Sequence, residues 1–262
     1  TGYKNTLVTA QADNAGYNET YFDGFEDYYC AYCPVKPIKP GQTRSSAGQA
    51  GMERVKILAG SVIISAAEAH TGKYSLQVPG SLTFTVFPPV ICRDKPALSG
   101  KTPCTACAGG FYPAANKKYI FSCWVKVNGE QPVTSCSDAS VTISNISSPV
   151  TLHSEGPVIE GWQRVMGAFT TAASTGAVTV RLNKGNADTF FDDLRIFPSE
   201  GNMVSYVYDD VNLRHTYTLD ENNYFTKNEY NNQGELIRTK KETEKGIVTT
   251  REGGTSLAKM HQ

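Results

Sequence analysis

Two CxxC pairs give this sequence its clearest chemical signal. Cys30 and Cys33 form the first pair, and Cys104 and Cys107 form the second. Four thiolates could hold one tetrahedral zinc ion, but the roughly 70 residues between the pairs exceed the usual separation. Dense cysteines fit an oxidising compartment, so disulfides are favoured over zinc and their pairing stays open. The disulfide candidates are Cys30, Cys33, Cys92, Cys104, Cys107 and Cys136, while Cys123 is predicted to be a buried odd thiol.

Groups that could catalyse a reaction form no pattern typical of an enzyme. The four histidines are scattered, without HExxH, a serine nucleophile elbow or metal-ligand spacing. Glycosidic hydrolysis needs two carboxylates at a defined separation. Asp192 and Asp193 are adjacent in a predicted strand, where neighbouring side chains point to opposite faces. The sequence therefore predicts a protein without catalytic activity.

Aromatic side chains offer another kind of site, because an exposed ring can stack on a sugar. Trp124 and Trp162 lie in strand-like segments, where core packing is the favoured interpretation. The better candidates for ligand binding lie in two long loops, and long loops in compact domains tend to be functional or stapled. These candidates are Tyr28, Tyr29, Tyr32, Phe111 and Tyr112.

Composition and charge limit the class of partner. The 25 basic and 25 acidic residues give a formal net charge of zero, so no basic field exists to attract nucleic acid. No stretch approaches the ~18 apolar residues of a membrane-spanning helix. The chain starts at Thr1 without a signal-peptide pattern, so we expect a processed form or a fragment. The cysteine content favours a secreted or cell-surface protein.

Strand-like segments recur along the chain and predict an all-β fold. They are rich in Val, Ile, Thr, Tyr and Phe and are bounded by Gly, Pro, Ser or Asn. In residues 119–127 (YIFSCWVKV) the alternation places the odd-numbered side chains on one face, which we expect to meet the core. Only residues 49–58 hint at a short helix. The texture becomes polar after Pro198, which places a domain boundary near residue 199.

Five motifs follow one another along the chain: Gly24-Phe25-Glu26, residues 70–76 (HTGKYSL), 119–126, 161–165 (GWQRV) and 190–196 (FFDDLRI). Together they resemble the carbohydrate-binding-module-like jelly rolls of the galactose-binding type. The resemblance implies a jelly-roll β-sandwich over residues 20–198, preceded by an N-terminal segment, 1–19. It also implies a structural Ca²⁺ ion, which requires oxygen ligands. By resemblance those ligands would be Glu26, the Thr71 and Lys73 carbonyls, and Asp192, with Asp193 as substitute if the register shifts.

Residues 199–262 resemble the YD-repeat (Rhs-type) segments of large Bacteroidota surface proteins. The motifs are 206–209 (YVYD), 219–224 (LDENNY), and 229–236 (EYNNQGEL), with a weak repeat at a spacing of 22. Asn231 stands where the motif usually has Asp, so the repeat is degenerate. The resemblance implies a small β-rich extension at the end of a larger exported protein. Its tyrosines are expected to pack the extension itself rather than to form an interaction surface.

These observations predict a non-catalytic, extracellular binding or adhesion module of a surface protein, with a glycan as the expected ligand. The first alternative is a structural part that docks onto a larger surface or type IX secretion-related complex, with another surface protein as its partner. The second is an accessory region of a glycosidase whose catalytic domain lies elsewhere. The sandwich is expected to stay folded without the extension.

Overall fold

The computed structural model describes residues 3, 7–16, 18–27, 41, 43–45, 55–86, 111–129, 133–174 and 177–253. These residues contain seventeen strands and no helix, which confirms the all-β prediction. Residues 55–58, at the end of the segment that hinted at a helix, begin a strand. The strands are β1 (Ala10–Ala12), β2 (Tyr21–Asp23), β3 (Thr43–Ser45), β4 (Val55–Ser65), β5 (Ser75–Val78), β6 (Ser81–Val86), β7 (Lys118–Asn128), β8 (Ser140–Ser144), β9 (Val150–Ile159), β10 (Trp162–Thr170), β11 (Thr179–Asn183), β12 (Asp188–Pro198), β13 (Met203–Tyr208), β14 (His215–Leu219), β15 (Phe225–Tyr230), β16 (Leu236–Thr243) and β17 (Gly246–Glu252).

The jelly-roll sandwich has two antiparallel sheets that share strands β4 and β9. Sheet A contains β2, β3, β5, β7, β10 and β12, and sheet B contains β6, β8 and β11. Strands β4 and β9 each run from one sheet into the other, so the hydrogen bonding closes into a ring. Gly60 sits where β4 changes sheets, at φ +86°, and a Cβ there would lie 1.9 Å from the Ser81 carbonyl oxygen. Only glycine fits this crossing.

Alternating side chains on β7 place the sandwich core where the sequence predicted it. Tyr119, Phe121, Cys123, Val125 and Val127 are buried in the main apolar cluster, facing the inner sides of β6, β8 and β11. The even-numbered residues of β7 point away from that cluster. Trp124, on this outer side, is nevertheless fully buried. A third layer therefore covers the outer face of sheet A.

That third layer is the tail sheet, which we define as β1 and β13 to β17. Its strands follow one another as an antiparallel meander, with β1 added at the free edge of β13. Asp209, Asp220 and Asn231 open three similar turns, eleven residues apart, and each side chain accepts two backbone N–H groups. The turns at Asp220 and Asn231 have the same bonds, whereas the turn at Asp209 is one residue longer. The structural unit is thus one strand and one turn of eleven residues, and the spacing of 22 in the sequence spans two units.

Two apolar clusters join the tail sheet to sheet A. One contains Phe22 and Phe197 of sheet A with Met203, Leu219 and Phe225 of the tail sheet. A second cluster packs sheet A residues, among them both tryptophans, against partly buried residues of the tail sheet; its members are Trp124, Ile159, Trp162 and Phe190, with Tyr224 and Ile247. The domain limits 1–19, 20–198 and 199–262 remain a prediction, but β1 lies in the first range and pairs with the last.

Candidate functional site

The four residues predicted to bind calcium meet at one buried junction. Glu26 follows β2, Thr71 and Lys73 lie in the turn before β5, and Asp192 lies on β12. Glu26 Oε1 accepts the Lys73 N–H at 2.8 Å, and Asp192 Oδ2 accepts the Thr71 N–H at 3.3 Å. Gly72 allows this closure, because a Cβ there would lie 2.3 Å from the Glu26 carboxyl group. The five-motif resemblance therefore identified residues that the fold brings together.

Burial makes this junction electrostatically unfavourable for negative charge. Glu26 is 9% exposed, and burial raises its pKa to about 8 against the hydrogen bonds donated by Tyr74 and Lys73. Burial also raises the pKa of Asp192 well above its usual value, with repulsion from Asp193 and Glu26 adding to the effect. Within the described residues, no group of three or more His, Cys, Asp or Glu side chains suits a metal ion. A cation here would need backbone carbonyls beside these two carboxylates.

His70 forms a second buried arrangement next to this junction. Its Nδ1 lies 2.8 Å from Asp193 Oδ2 and its Nε2 lies 3.0 Å from Glu242 Oε1. Burial alone would lower the pKa of His70, but the attraction of Glu242 and the hydrogen bonds with Asp193 and Glu242 outweigh it and raise that pKa to about 9. The ring stacks on Trp124 at 4.3 Å between centroids. His70 therefore joins the sandwich to the tail sheet as a buried imidazolium.

A bulge in β12 explains how both aspartates reach the same turn. The pairing of β12 with β7 shifts register between Asp192 and Arg195, and Asp193 has φ +50°. Asp192 consequently accepts the His70 backbone N–H while Asp193 faces the His70 ring. The expectation that the two carboxylates point to opposite faces was wrong, because a bulge interrupts the strict alternation of a strand.

Arg195 and Asn223 complete the contact between the layers. The Arg195 guanidinium is fully buried and donates to the carbonyls of Met203, Leu219 and Asp220, at 3.3, 3.0 and 2.6 Å. The Asn223 amide donates to the Asp193 carbonyl at 3.1 Å. Neither side chain was predicted from the sequence to join the layers. The sequence showed only that Arg195 is a charged residue inside an apolar strand and that Asn223 lies in a predicted turn.

The aromatic candidates separate into buried and exposed residues. Trp124 and Trp162 are buried, but against the tail sheet rather than in the sandwich core. Phe111, proposed as an exposed platform, is 2% exposed and packs edge-on against Tyr119 at 5.8 Å, so that prediction is corrected. Tyr112 is 54% exposed. The other three predicted platform residues lie outside the described residues; they are Tyr28, Tyr29 and Tyr32.

Two cysteines lie in the described part of the chain. Cys123 is a free, fully buried thiol, as predicted, and burial raises its pKa. Cys136 was a disulfide candidate, but it is also a free, buried thiol, and its Sγ donates to the Gly161 carbonyl oxygen at 3.7 Å. The disulfide prediction is therefore corrected for Cys136. The other five candidates lie outside the described residues; they are Cys30, Cys33, Cys92, Cys104 and Cys107.

The outer side of sheet B presents a polar surface that we call the hydroxyl face. Its residues alternate along their strands with side chains that are buried or partly buried; they are Thr83, Ser140, Thr142, Thr151, His153, Arg181 and Asn183. Arg181 lies directly across from Thr83 and Thr142 in the pairing of β11 with β6 and β8. Asn183 Nδ2 donates to Ser140 Oγ at 3.0 Å. The face offers aligned hydroxyl, amide and guanidinium groups.

Comparison with known proteins yields weak structural similarity alone. No protein-family model and no curated protein matches the sequence. A structure described as a family 16 carbohydrate-binding module is similar at 16% identity over 52% of this chain and 84% of its own, with a TM-score of 0.32. The CBM22-1 xylan-binding domain of a Paenibacillus barcinonensis protein is similar at 15% identity over 60% and 92%, with a TM-score of 0.35. No helix of the described residues is long and apolar enough to span a membrane.

Proposed function

We propose that this chain is a non-catalytic glycan-binding module of an exported surface protein, and that the hydroxyl face makes the contact. The observation that carries this proposal is the covering of sheet A by the tail sheet, which buries Trp124 and Trp162. The sandwich has two broad outer surfaces, one on each sheet. On the surface of sheet B, polar side chains are partly or fully exposed. The cysteine-rich composition supports export.

The chemistry of the hydroxyl face suits a polyhydroxylated ligand. Arg181 is exposed and supplies several N–H donors in a fixed plane. The Thr142 and Thr151 hydroxyls lie 3.2 Å apart and can donate or accept. Across three adjacent strands these groups repeat at the ~4.8 Å spacing of a sheet. A glycan chain crossing the strands would meet hydrogen-bonding groups at each step.

The resemblance to calcium-binding jelly rolls leads to a second part of the proposal, a structural Ca²⁺ ion at the buried junction. Glu26 and Asp192 would supply carboxylate oxygens, and the carbonyls of Thr71 and Lys73 would complete the set. Burial is the main reason that the pKa values of both carboxyl groups are raised, and a cation bound between them would offset the cost of burying negative charge. The ion would act on folding and not on the glycan contact.

A glycan-array screen of the purified chain tests the main proposal. We expect binding to a defined glycan, and we expect Arg181→Ala to weaken it. The matched control is Arg251→Ala, which removes an exposed arginine from β17 on the tail sheet. An array without signal from a folded chain, or equal binding by both variants, would contradict the assignment of the hydroxyl face.

The edge of β17, which has no pairing partner within the described residues, supports the alternative function as an assembly part. β17 pairs with β16 on one side and is the last strand of the tail sheet. Its residues Thr249 to Glu252 are exposed, and an exposed strand edge is a template for pairing with another chain. This role predicts self-association, or capture of a surface protein, that Val248→Lys reduces. Sedimentation velocity of both proteins over a range of concentrations distinguishes a monomer from an assembling species.

The tail sheet is proposed to be a degenerate YD-type repeat of a Bacteroidota surface protein. The turns at Asp209, Asp220 and Asn231 support this interpretation, because in each the side chain accepts the N–H of the second residue on and one further backbone N–H. A link to type IX secretion rests on the sequence resemblance alone. Proteomic detection of the chain on intact cells, by surface labelling, tests the proposed location.

A further inference from the structure

A polar groove lies at one end of the tail sheet and is lined by residues 209–232. It has a volume of about 510 Å³ and runs between the turn after β13 and the turn after β15. Asn212, Arg214, Asn228, Tyr230 and Asn232 contribute to its lining. Ligand sites commonly occupy about 300–1,000 Å³. The groove is thus large enough for a small oligosaccharide fragment.

Arg214 is held in a defined position in this groove. Its guanidinium carbon lies 5.9 Å from the centroid of the Tyr230 ring. Gly234, at φ +87°, is also close, because a Cβ there would lie 2.3 Å from an Arg214 nitrogen. The Tyr230 hydroxyl donates to the His215 carbonyl at 2.8 Å, which fixes the ring. The guanidinium is therefore placed by its neighbours before any ligand arrives, which lowers the entropic cost of binding.

Arg214 also differs from its cationic neighbours in having no carboxylate partner. Glu229 lies 3.0 Å from Lys240, 3.3 Å from Arg238 and 3.6 Å from Lys227. Among the described residues, no carboxylate oxygen lies within 4.0 Å of the Arg214 guanidinium. Asp209 is the acidic groove residue nearest to Arg214 in the sequence, and it forms an ion pair with Lys73 at 3.3 Å. One positioned guanidinium thus remains available to an anionic ligand.

We propose that this groove binds an acidic saccharide, with Arg214 on a sugar carboxylate and the amides of Asn228 and Asn232 on neighbouring hydroxyls. A guanidinium matches a carboxylate in a bidentate geometry. Amide side chains both donate and accept, which matches the hydroxyl groups of a sugar. This site is separate from the hydroxyl face, so it holds or fails independently of the proposed function.

Calorimetric titration of the full chain with a trigalacturonate tests the proposal. Two comparison ligands separate the contributions: the carboxyl-reduced trisaccharide, which keeps the hydroxyls, and a short oligoglutamate, which keeps the charge. We expect the trigalacturonate to bind at least about tenfold more tightly than either, because a hydrogen bond to a charged group carries that much discrimination. Equal affinity for the reduced trisaccharide or for oligoglutamate would overturn the proposal.

Variants of the groove locate the binding. Arg214→Gln is expected to weaken trigalacturonate binding about tenfold or more, whereas Arg251→Gln, an exposed arginine on β17, should leave it unchanged. Asn232→Asp provides a second variant at an exposed position, where an added negative charge should repel the ligand without affecting folding. Arg181→Ala, on the hydroxyl face, should have no effect. Unchanged binding by Arg214→Gln and Asn232→Asp would place the ligand elsewhere.

Discussion

Replacing Glu242 should reveal how strongly the tail sheet is held to the sandwich. Its carboxylate is 1% exposed, accepts from His70 Nε2 at 3.0 Å, and accepts the Phe225 N–H at 3.3 Å. Glu242→Leu keeps a similar volume but removes both acceptors. Among the described residues it leaves the His70 imidazolium with Asp193 as its one carboxylate neighbour at hydrogen-bond distance. Glu242→Gln keeps an oxygen acceptor and removes only the charge.

The expected magnitude follows from the cost of breaking a buried ion pair. Removing one partner costs ~3–5 kcal/mol, because the other charge stays buried without compensation. For Glu242→Gln we expect ~1–3 kcal/mol, the cost of weakening a hydrogen bond to a charged group. At about 2–4 °C per kcal/mol for a chain of this size, Glu242→Leu should lower the melting temperature by roughly 6–20 °C. These are large fractions of an ordinary stability of ~5–15 kcal/mol.

Urea unfolding followed by tryptophan fluorescence is the appropriate assay, since Trp124 stacks on His70 and reports on this contact directly. The control is Glu244→Gln, an exposed carboxylate two residues away, which should change stability by less than about 0.5 kcal/mol. If Glu242→Leu and Glu244→Gln have the same small effect, the buried pair does not stabilise the contact between the layers.

Three other perturbations test the remaining assignments. A chain ending at residue 198 should lose its cooperative unfolding transition, contrary to the expectation from sequence, since Trp124 and Trp162 would become exposed; a sharp transition in calorimetry would show that the layers are independent. Ca²⁺ at a hundredfold excess over Kd should stabilise the fold by ~2.7 kcal/mol and so raise the melting temperature, and Asp192→Asn should remove the effect; an identical melting curve in chelator argues against the ion. Cys123 and Cys136 should react with iodoacetamide only after denaturation, as peptide mapping can show, because both thiols are buried; labelling of either in the native chain would contradict their positions.

Local sequence patterns predicted the sandwich well because each depends on neighbouring residues. The alternation in β7 identified its core-facing side, and the ordered motifs identified residues that converge on Glu26. Long-range partners were not predictable in the same way. Glu242 sits in a run of mixed charges that is typical of a solvated face, and it meets His70 only because β16 folds back across 172 residues of chain. The bulge at Asp193 likewise had no signal in the strand pattern.

The buried tryptophans change what an aromatic strand residue implies in this chain. On an isolated jelly roll, Trp124 and Trp162 would form an exposed aromatic surface of the kind that stacks on sugars. Here the tail sheet occupies that surface, and several polar groups make specific contacts between the layers, as with Trp124 Nε1 donating to the Asn223 carbonyl at 2.7 Å. Separating two layers that are joined by hydrogen bonds and a buried ion pair has a large free-energy cost. Ligands must therefore use the hydroxyl face, the loops or the tail sheet itself, and the Arg181 and Arg214 variants distinguish two of these surfaces.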